Sequence, residues 1–551
     1  MVSLATNLVK SLKRLGCEKV FGIPGKPIAP LLIEMEKQDV RFVLARHECG
    51  AGYMATGYAL QNKTLGVALG TSGPGGTNML TAAGQAKAFN APVLFITGHP
   101  PLRDSGKAVG QDSSQFGTDL VELFKPLTLF SARIDDATLL EGYLQHALQK
   151  ALTGSKGPVH LSIPLDVLGT DLPVFQFPNW EITDEVVSAN LERVASSLQG
   201  AKRPVVLVGK GLHSAKAYQE LQQFVEAWQI PIMTTPGGKG SFPTKHPLSL
   251  GSFGLGGTAA ADAYLREGVD VMVVIGTRLS DMSTAGLTPE SYPNQIIQFD
   301  QDPTFVGKTI EVDTLFVKGD AKGNLAELNS RYSKTDRNRL DLSPYWLEEN
   351  QQCKAMARQA SNHARLSTAS AMIKLRNCLP DQTIVYGDDG SHTFYGIKYF
   401  DTIHPGTFFF DDVFGAMGHG LGLSIGAALA EPEAPVVCFV GDGCLMMHGM
   451  ELSAAVDQQA NMTFVVFNNG MLDMVDKGMK HGLGQAVGTQ YRHGIHAAQF
   501  GESLGVTSVR CESIDEIEHA IAASLAHSGP YLIELLTLKD EVPPTMKRAK
   551  F

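Results

Sequence analysis

Two short polar clusters in the C-terminal third of the chain have residue types and a spacing suited to holding a metal ion. The cluster GDG (441–443) follows the apolar run 436–440, and NN (468–469) comes 24 residues later, after the run 463–467. Open parallel sheets bind ligands at the carboxyl ends of their strands, so the two clusters are predicted to meet at one sheet edge. A carboxylate, an amide and nearby carbonyls are hard oxygen ligands, suited to Mg²⁺ that is also held by a diphosphate.

The segments that must position these clusters alternate between strand-like and helix-like patterns. The 24-residue spacer leaves room for a helix at 448–459, which together with its flanking strands makes a βαβ unit. Near the N-terminus the same alternation predicts helices at 3–15, 27–37, 48–61 and 77–89, with strands at 19–24, 41–46, 64–70 and 92–98. Such alternation predicts parallel sheets covered by helices on both faces.

Similar strand patterns recur in two further parts of the chain. They predict central strands at 204–209, 230–235, 271–277, 295–300 and 314–320, and C-terminal strands at 383–388, 435–442, 464–469 and 531–536. Two polar stretches without periodicity, 166–190 and 330–365, are predicted to be linkers. The predicted fold class is therefore α/β, with three doubly wound parallel-sheet domains at 1–165, 190–330 and 366–540.

The composition limits the classes of function. A chain of 551 residues is too long for one core. Its net charge of −10, without a basic cluster, argues against nucleic acid or an anionic membrane surface as a partner. The longest apolar runs are strand-sized, and the N-terminal segment lacks the apolar core of a signal peptide. Seven scattered cysteines without a CxxC pair indicate reduced thiols, and hence a cytoplasmic protein.

Five further motifs carry a resemblance to a known family. HECGAGYMATGYA (47–59) is similar to the HExxAxxxAxGYA segment of thiamine diphosphate (ThDP)-dependent 2-oxo acid decarboxylases and carboligases. The turns FGIPG (21–25) and GTSGPGGTN (70–78), the loop GDDGSH (387–392) and the segment FGAMGHGLG (414–422) resemble further motifs of that family. With GDG and NN, the resemblance covers nearly the whole chain and is greatest to the catalytic subunit of acetolactate synthase.

The resemblance implies a role for each matching residue. Glu48 is expected to be the catalytic acid–base group, because the family's glutamate there hydrogen-bonds a ring nitrogen of the cofactor's aminopyrimidine. Asp442 and Asn469 would bind Mg²⁺ through their side chains, and Met471 through its carbonyl. The expected ThDP contacts besides Glu48 are Pro24, Gly25, Pro74, Asn78, Ser391, His392, Gly415, Met417, Asp442, Gly443, Cys444, Asn469, Met471 and Leu472.

The family's assembly and second cofactor are further expectations. In this family the first domain of one subunit and the third domain of another enclose each ThDP, so a homodimer or homotetramer with shared active sites is expected. The central segments 234–251, 276–281, 298–303 and 317–320 resemble those that hold FAD in acetolactate synthase. Relatives with similar loops bind ADP or no nucleotide, so the sequence leaves undecided whether this chain binds FAD.

Several residues depart from the acetolactate synthase pattern. Gln115 is displaced by one position in SSQFG (113–117), Leu129 stands where a lysine is expected, and MVDKGMK (474–480) lacks a tryptophan. His419 replaces an aromatic residue, and His99, Lys107 and Lys477 lie on predicted loops. Added cations could neutralise the second carboxylate of a 2-oxo dicarboxylate. The candidate substrate-binding residues are Gln115, His419 and Lys477.

The expected reaction is decarboxylation of a 2-oxo acid followed by carboligation, in which two pyruvates give 2-acetolactate and CO₂. The alternative is a non-oxidative decarboxylase that releases an aldehyde, possibly from a dicarboxylate such as 2-oxoglutarate. Nothing in the sequence indicates the flavin contact that a ThDP oxidase needs. A purely structural ThDP-fold subunit is disfavoured because Glu48 and Asp442 are both present.

Overall fold

The computed structural model describes residues 1–62, 64–175, 186–332, 340–351, 353, 365–546 and 548. Three six-stranded sheets, all parallel, follow one another along the chain, and helices connect their strands. The predicted α/β fold class with three doubly wound parallel sheets is therefore confirmed. Within the described ranges, no helix combines the length and the apolar character needed to cross a bilayer.

The first sheet lies in the N-terminal part of the chain, after a short strand β1 (Val2–Ser3). Its strands are β2 (Lys19–Gly22), β3 (Arg41–Leu44), β4 (Gly66–Gly70), β5 (Val93–His99), β6 (Ser131–Arg133) and β7 (Val159–Pro164), in the order β3-β2-β4-β5-β7-β6. The strand β8 (Asp171–Leu172) then pairs antiparallel with β1. The α-helices are Leu4–Arg14, Ala29–Lys37, Glu48–Gln61, Pro74–Thr77, Leu80–Ala88, Leu120–Phe124, Leu140–Leu152 and Leu165–Leu168, with 3₁₀ turns at Lys26–Ile28, Leu102–Asp104, Lys125–Leu127 and Ala137–Leu139.

The second sheet occupies the central part of the chain. Its strands are β9 (Val205–Val208), β10 (Ile232–Thr234), β11 (Ser249–Ser252), β12 (Val271–Ile275), β13 (Gln295–Asp300) and β14 (Asp313–Lys318), in the order β11-β10-β9-β12-β13-β14. The α-helices are Leu191–Gly200, Gly211–Ala215, Tyr218–Trp228, Ala259–Arg266, Asp281–Thr284 and Ala321–Arg331, with 3₁₀ turns at Pro289–Ser291, Pro303–Phe305 and, after the sheet, Ser343–Trp346.

The third sheet carries the GDG and NN motifs. Its strands are β15 (Ile384–Gly387), β16 (Phe408–Phe409), β17 (Val436–Gly441), β18 (Met462–Asn468), β19 (Thr507–Cys511) and β20 (Pro530–Leu536), in the order β16-β15-β17-β18-β20-β19. The α-helices are Thr368–Cys378, Ser391–Tyr399, His419–Ala430, Asp442–His448, Leu452–Asp457, Asp473–Leu483, Ala497–Ser503 and Ile514–Ala526, with a 3₁₀ turn at Gly449–Glu451.

Two of the predicted helices differ from the structure. The helix expected at 77–89 is two helices, Pro74–Thr77 and Leu80–Ala88, because the glycine-rich turn itself closes with a helical turn. The helix expected at 448–459 begins earlier, at Asp442, and the 3₁₀ turn Gly449–Glu451 divides it. The early start places the backbone N–H groups that follow Asp442 at the sheet edge.

Close backbone packing joins the first and third sheets within one chain. The helix Glu48–Gln61 lies against the helix His419–Ala430, and both are buried over almost their whole length. A Cβ atom on Gly57 would lie 1.9 Å from the carbonyl oxygen of Leu423, and one on Gly426 would lie 1.9 Å from that of Met54. Only glycine permits this contact, which fixes the helix that begins with Glu48.

A buried histidine in the first sheet predicts loss of stability in acid. His160 lies on β7, stacked on Phe124 with ring centroids 4.0 Å apart, and its nitrogens meet the hydroxyls of Thr97 and Ser131 at 2.9 and 2.8 Å. Burial lowers the pKa of His160 from 6.5 to about 3. Between these pH values the unfolded chain binds a proton that the folded chain does not, so stability present above pH 6.5 is lost as the pH falls.

Because of this histidine, we expect the free energy of unfolding to be about 2 kcal/mol lower at pH 5 than at pH 7.5. Denaturant titrations at both pH values measure that difference, and His160→Gln should reduce it by about the same amount. An unchanged pH dependence in the variant would contradict the assignment, even if its stability at pH 7.5 is lower.

Candidate active site

A cavity of about 240 Å³ opens at the carboxyl edge of the third sheet, between the ends of β15, β17 and β18. The first residues of the helices Ser391–Tyr399 and Asp442–His448 form part of its wall. The predicted site residues that line it are Ser391, His392, Gly415, Met417, Asp442, Gly443, Cys444, Asn469, Met471 and Leu472. The structure therefore brings the third-domain motifs together in one cavity.

Asp442 has the environment of a metal ligand. Its side chain is buried, and its two carboxylate oxygens accept hydrogen bonds from the backbone N–H groups of Gly443 (2.9 Å) and Gly470 (2.7 Å). Burial raises the pKa of Asp442 to about 6, despite these hydrogen bonds. A divalent cation would compensate this buried charge. Among the described residues, no group of three or more His, Cys, Asp or Glu side chains could hold a metal ion.

His392 offers a ring nitrogen to the cavity. Its imidazole stacks on Phe467 with centroids 5.9 Å apart, and burial lowers its pKa to about 4, so the ring is neutral near pH 7. Its Nε2 atom is buried and has no hydrogen-bond partner among the described residues. A buried polar atom without a partner is costly, and a ligand in the cavity could supply the missing bond.

The loop 413–417 is held in shape by a single carboxylate. One oxygen of Asp411 accepts hydrogen bonds from the backbone N–H groups of Phe414 (2.8 Å) and Gly415 (3.1 Å), and Lys210 lies 2.9 Å from the other oxygen. Burial opposes ionisation of Asp411, but Lys210 outweighs it, and the pKa is well below its usual range. Gly415 has a φ of +71°, a conformation that favours glycine. Hydrogen bonds to Asp411 therefore hold the turn that presents Gly415 and Met417 to the cavity.

Glu48 lies at the carboxyl edge of the first sheet, as the first residue of its helix. Its side chain is 9% exposed, and the amide nitrogen of Asn78 donates a hydrogen bond of 2.9 Å to its Oε2 atom. Pro74 lies in the short helix that precedes Asn78, whereas Pro24 and Gly25 follow β2. A Cβ atom on Gly25 would lie 2.4 Å from Thr71, so this turn packs closely on the glycine-rich segment.

Within one chain, the two groups of predicted ThDP contacts do not meet at the cavity. The residues that line it come from the central and C-terminal parts of the chain, and those of the first sheet, among them Glu48 and Asn78, are not part of its wall. The two groups of predicted contacts therefore lie in separate places within one chain.

The sequence interpretation missed Glu451, which orders the turn before Glu48. Its buried carboxylate accepts hydrogen bonds from the backbone N–H groups of Arg46 (3.1 Å to each oxygen) and His47 (2.9 Å). A Cβ atom on Gly50 would lie only 2.0 Å from Glu451 Oε1. The signal available in the sequence was a lone glutamate nine positions after Asp442, and nothing local connects it with Glu48.

The three candidate substrate residues lie in different surroundings. Gln115 is exposed, beside Phe116, whose side chain is 65% exposed. Lys477 lies in the helix Asp473–Leu483, where its ammonium group donates to the carbonyl of Lys539. His419 is 1% exposed and begins a helix behind the cavity wall.

The sequence analysis predicted loops at Lys477 and His99, and the structure corrects both positions. Lys477 is helical, and His99 is the last residue of β5, buried, with its Nδ1 atom 2.7 Å from the carbonyl oxygen of Pro100. Lys107 pairs with Asp104 at 2.9 Å on the surface.

A second cavity, of about 790 Å³, lies at the edge of the central sheet. The loop after β12 supplies Thr277 and Arg278, and the end of β13 supplies Asp300. The C-terminal segment reaches this cavity, because Arg548 donates to the carbonyl of Gly254 (2.7 Å) and pairs with Asp262. Met282 lines both cavities and so forms part of the wall between them.

Sequence profiles of one family match the three parts of the chain that carry the three sheets. The thiamine pyrophosphate enzyme N-terminal TPP binding domain matches residues 2–122, the central domain matches 191–328, and the C-terminal TPP binding domain matches 388–535. The chain belongs to the thiamine pyrophosphate enzymes and is a ThDP-dependent enzyme of the decarboxylase and carboligase type.

Its similar relatives include acetolactate synthase large subunits. The chain is 30% identical to a probable acetolactate synthase large subunit of Methanococcus aeolicus, with 98% of this chain and 94% of the relative covered. It is 30% identical to the acetolactate synthase large subunit of Corynebacterium glutamicum (97% and 87% covered) and 29% identical to the isozyme 1 large subunit of Escherichia coli (98% and 95% covered).

Proposed function

We propose that the protein catalyses the ThDP- and Mg²⁺-dependent decarboxylation of a 2-oxo acid, followed by ligation to a second carbonyl compound. With pyruvate in both roles, the products are 2-acetolactate and CO₂. The observation that carries the proposal is the cavity at the third sheet, where a buried carboxylate lies beside a glycine loop held by Asp411 and a histidine nitrogen without a partner among the described residues. The similarity to acetolactate synthase large subunits supports the ligation step.

The residues present fit ThDP and its metal. Asp442, Asn469 and the Met471 carbonyl would hold Mg²⁺, and its charge would relieve the cost of burying the Asp442 carboxylate. Ser391, His392, Gly443 and Cys444 would contact the diphosphate, with the His392 nitrogen gaining its missing bond. The Gly415 and Met417 backbones would contact the aminopyrimidine, and the side chains of Met417 and Leu472 would contact the ring system. ThDP, when bound, supplies a nucleophilic carbon and an electron sink for decarboxylation.

Glu48 would exchange a proton with a ring nitrogen of the aminopyrimidine. The hydrogen bond from Asn78 leaves Oε1 as the free carboxylate oxygen and fixes the orientation of the group. Glu451 fixes the backbone at Arg46 and His47, so the carboxylate is presented at the start of a rigid helix. Pro24, Gly25 and Pro74 would form the surrounding wall.

We further propose that each active site is shared between two subunits of a homodimer, or of a homotetramer built from such dimers. The support is the separation of Glu48 from the cavity that its own chain provides. A partner chain would bring a second Glu48 to that cavity, and a twofold axis would create two equivalent sites.

A second candidate function is non-oxidative decarboxylation, with release of an aldehyde. One observation favours it: the carboxyl group of Asp389 faces the cavity and can hold a proton near neutral pH. The departures from the acetolactate synthase pattern at Gln115, Leu129 and 474–480 also weaken a biosynthetic role. The sequence offered His419 and Lys477 for recognising a second carboxylate, as in 2-oxoglutarate, but neither side chain lines the cavity.

Product analysis separates the two functions. Purified protein with ThDP and Mg²⁺ would be incubated with pyruvate, 2-oxobutyrate, 2-oxoglutarate or benzoylformate, and the products identified. Acetolactate from pyruvate supports the first function. Release of an aldehyde without a ligated product supports the second, and failure to release CO₂ from any of the four substrates would contradict both.

We also propose that the second cavity holds an adenine nucleotide cofactor, with FAD as the first candidate. Its volume is sufficient, Asp300 offers an acceptor for a ribose hydroxyl, and Arg278 offers a cation for phosphate. A flavin absorption spectrum in the purified protein would support FAD. A colourless protein that retains activity without added flavin would exclude a requirement for it.

A further inference from the structure

Asp389, whose carboxyl group favours the second candidate function, is a cavity residue that the sequence interpretation did not single out. It follows β15 in the turn GDDG and lines the cavity beside Gly415. A methyl group placed on Gly415 would lie 3.9 Å from each carboxylate oxygen of Asp389. Its Oδ2 atom is buried and has no hydrogen-bond partner among the described residues. Because Asp389 lines the cavity and this oxygen has no hydrogen-bond partner, the carboxyl group is available to a bound ligand.

A buried histidine lies behind this carboxyl group. The Nδ1 atom of His419 is 3.6 Å from Asp389 Oδ2, 3.5 Å from Asp388 Oδ1 and 2.7 Å from the carbonyl oxygen of Ala416. Because a carbonyl only accepts, Nδ1 carries a hydrogen. Burial opposes a charge on the ring, but the surrounding aspartates raise the pKa of His419 to about 9. His419 is therefore a cation near neutral pH.

The two neighbouring aspartates have different surroundings. Asp388 is fully buried and accepts three backbone N–H hydrogen bonds, from Asp389 (2.7 Å), Gly418 (2.8 Å) and Gly420 (3.0 Å). Burial opposes its ionisation, but these bonds and His419 lower its pKa below the usual value. Asp388 is thus the fixed counter-ion of His419, and Asp389 is free to gain or lose a proton.

The charges around Asp389 place its titration near neutrality. Burial, Asp411 and Asp388 raise the pKa of this carboxyl group, His419 and Lys210 lower it, and the result is about 7. An acid–base group works best when its pKa is close to the working pH. The titratable or charged groups that face Asp389 from the elements packed against it are Asp388, Asp411, His419, Lys210, Tyr53 and Cys444.

We propose that Asp389 is a second acid–base residue of this active site, and that it protonates the substrate-derived carbon from which CO₂ has left. In that step the Asp389 O–H bond breaks, a C–H bond forms, and the resulting carboxylate lies beside the His419 cation until water returns the proton. Protonation of this carbon leads to aldehyde release, whereas its attack on a second carbonyl leads to ligation. Asp389 therefore controls the ratio of the two products, an inference that rests on the proposed function.

The substitution Asp389→Asn removes the proton and keeps the size of the side chain. We expect it to lower the rate of aldehyde formation by about 100-fold, because general acid catalysis contributes about 10²–10⁴. Ligation should fall less, so that the ratio of ligated product to aldehyde rises at least about tenfold. Asp171→Asn, an exposed position on β8, is the matched control and should change neither quantity.

The pH profile distinguishes a proton donor from a structural residue. Aldehyde formation should fall above about pH 7 in the wild type, as Asp389 loses its proton. His419→Gln removes the cation that stabilises the carboxylate, so the pH at which aldehyde formation falls should be higher in this variant. The proposal would be overturned if aldehyde formation in His419→Gln falls at the same pH as in the wild type. It would also be overturned if the product ratio of Asp389→Asn equals that of the wild type.

A measurement without substrate separates this proposal from the proposed function. Calorimetry of ThDP binding with Mg²⁺, in buffers of different ionisation enthalpy, counts the protons exchanged on binding at pH 7. If Asp389 faces the cofactor, the wild type and Asp389→Asn should differ by a measurable fraction of a proton, while Asp171→Asn should match the wild type. If the wild type converts no 2-oxo acid, the proposed function fails and this comparison still decides whether Asp389 faces the cofactor, since equal proton counts would overturn that.

Discussion

Replacing Glu48 by glutamine should lower turnover by at least about 100-fold while ThDP still binds, since general acid–base catalysis contributes about 10²–10⁴. Glutamine keeps the shape of the side chain and can still meet Asn78, but it cannot exchange a proton with the aminopyrimidine. The measurements are kcat with pyruvate and the affinity for ThDP by calorimetry.

Glu36→Gln is the matched control for this variant. Glu36 is exposed on the helix Ala29–Lys37, away from the sheet edge, and its substitution should leave both quantities at the wild-type level. Turnover near the wild-type value in Glu48→Gln would refute the catalytic assignment. A large loss of ThDP affinity without loss of kcat at saturation would make Glu48 a binding residue only.

Replacing Asp442 by alanine should weaken Mg²⁺-dependent binding of ThDP by about 100-fold or more. The reason is that losing even an outer-shell partner of a metal ligand costs roughly 10- to 100-fold in affinity, and Asp442 is proposed as a direct ligand. Asp442→Asn, which keeps one oxygen at the same place, should lie between alanine and the wild type. Calorimetry at several Mg²⁺ concentrations measures this, and excess Mg²⁺ should restore binding only in part.

Thermal unfolding without cofactor is the control for Asp442→Ala. The apo variant should unfold within a few degrees of the wild type, because the buried Asp442 carboxylate is itself costly when no cation is present. At the same concentrations, added ThDP and Mg²⁺ should stabilise the wild type more than the variant. Equal stabilisation of both proteins would contradict the metal assignment.

The two variants together test the shared active site. Glu48→Gln and Asp442→Ala should each be inactive alone, but co-expressed chains should recover about one quarter of the wild-type activity, since half of randomly assembled dimers are mixed and each mixed dimer has one intact site. The comparison is a chain that carries both substitutions, co-expressed with the wild-type chain. No recovery from dimers shown to be mixed would mean that both residues act within a single chain.

The sequence predicted the fold well where strands are long and apolar. The segments at 271–277, 435–442 and 464–469 correspond to β12, β17 and β18, which are buried along their whole length. The interpretation did not identify β7, although this strand is buried along its whole length, and it did not identify β1, β6, β8, β11, β16 and β19. The strand β16 is only two residues long, and β11 and β19 are rich in small or polar side chains, so their pairing depends on neighbouring strands rather than on local pattern.

The sequence by itself determined the class of enzyme, because Asp442, Asn469 and Glu48 lie in short motifs that resemble those of one family. Each motif lies where a strand of the first or third sheet ends, which is where parallel sheets bind ligands. Only the tertiary structure decided which distant groups act on those motifs. Glu451 lies about 400 positions after the turn that it holds, and the pair of Asp389 and His419 is formed where the turn after β15 approaches the start of the helix His419–Ala430. Such pairings depend on how sheets and helices pack, since charges buried together change one another's pKa whatever their distance along the chain.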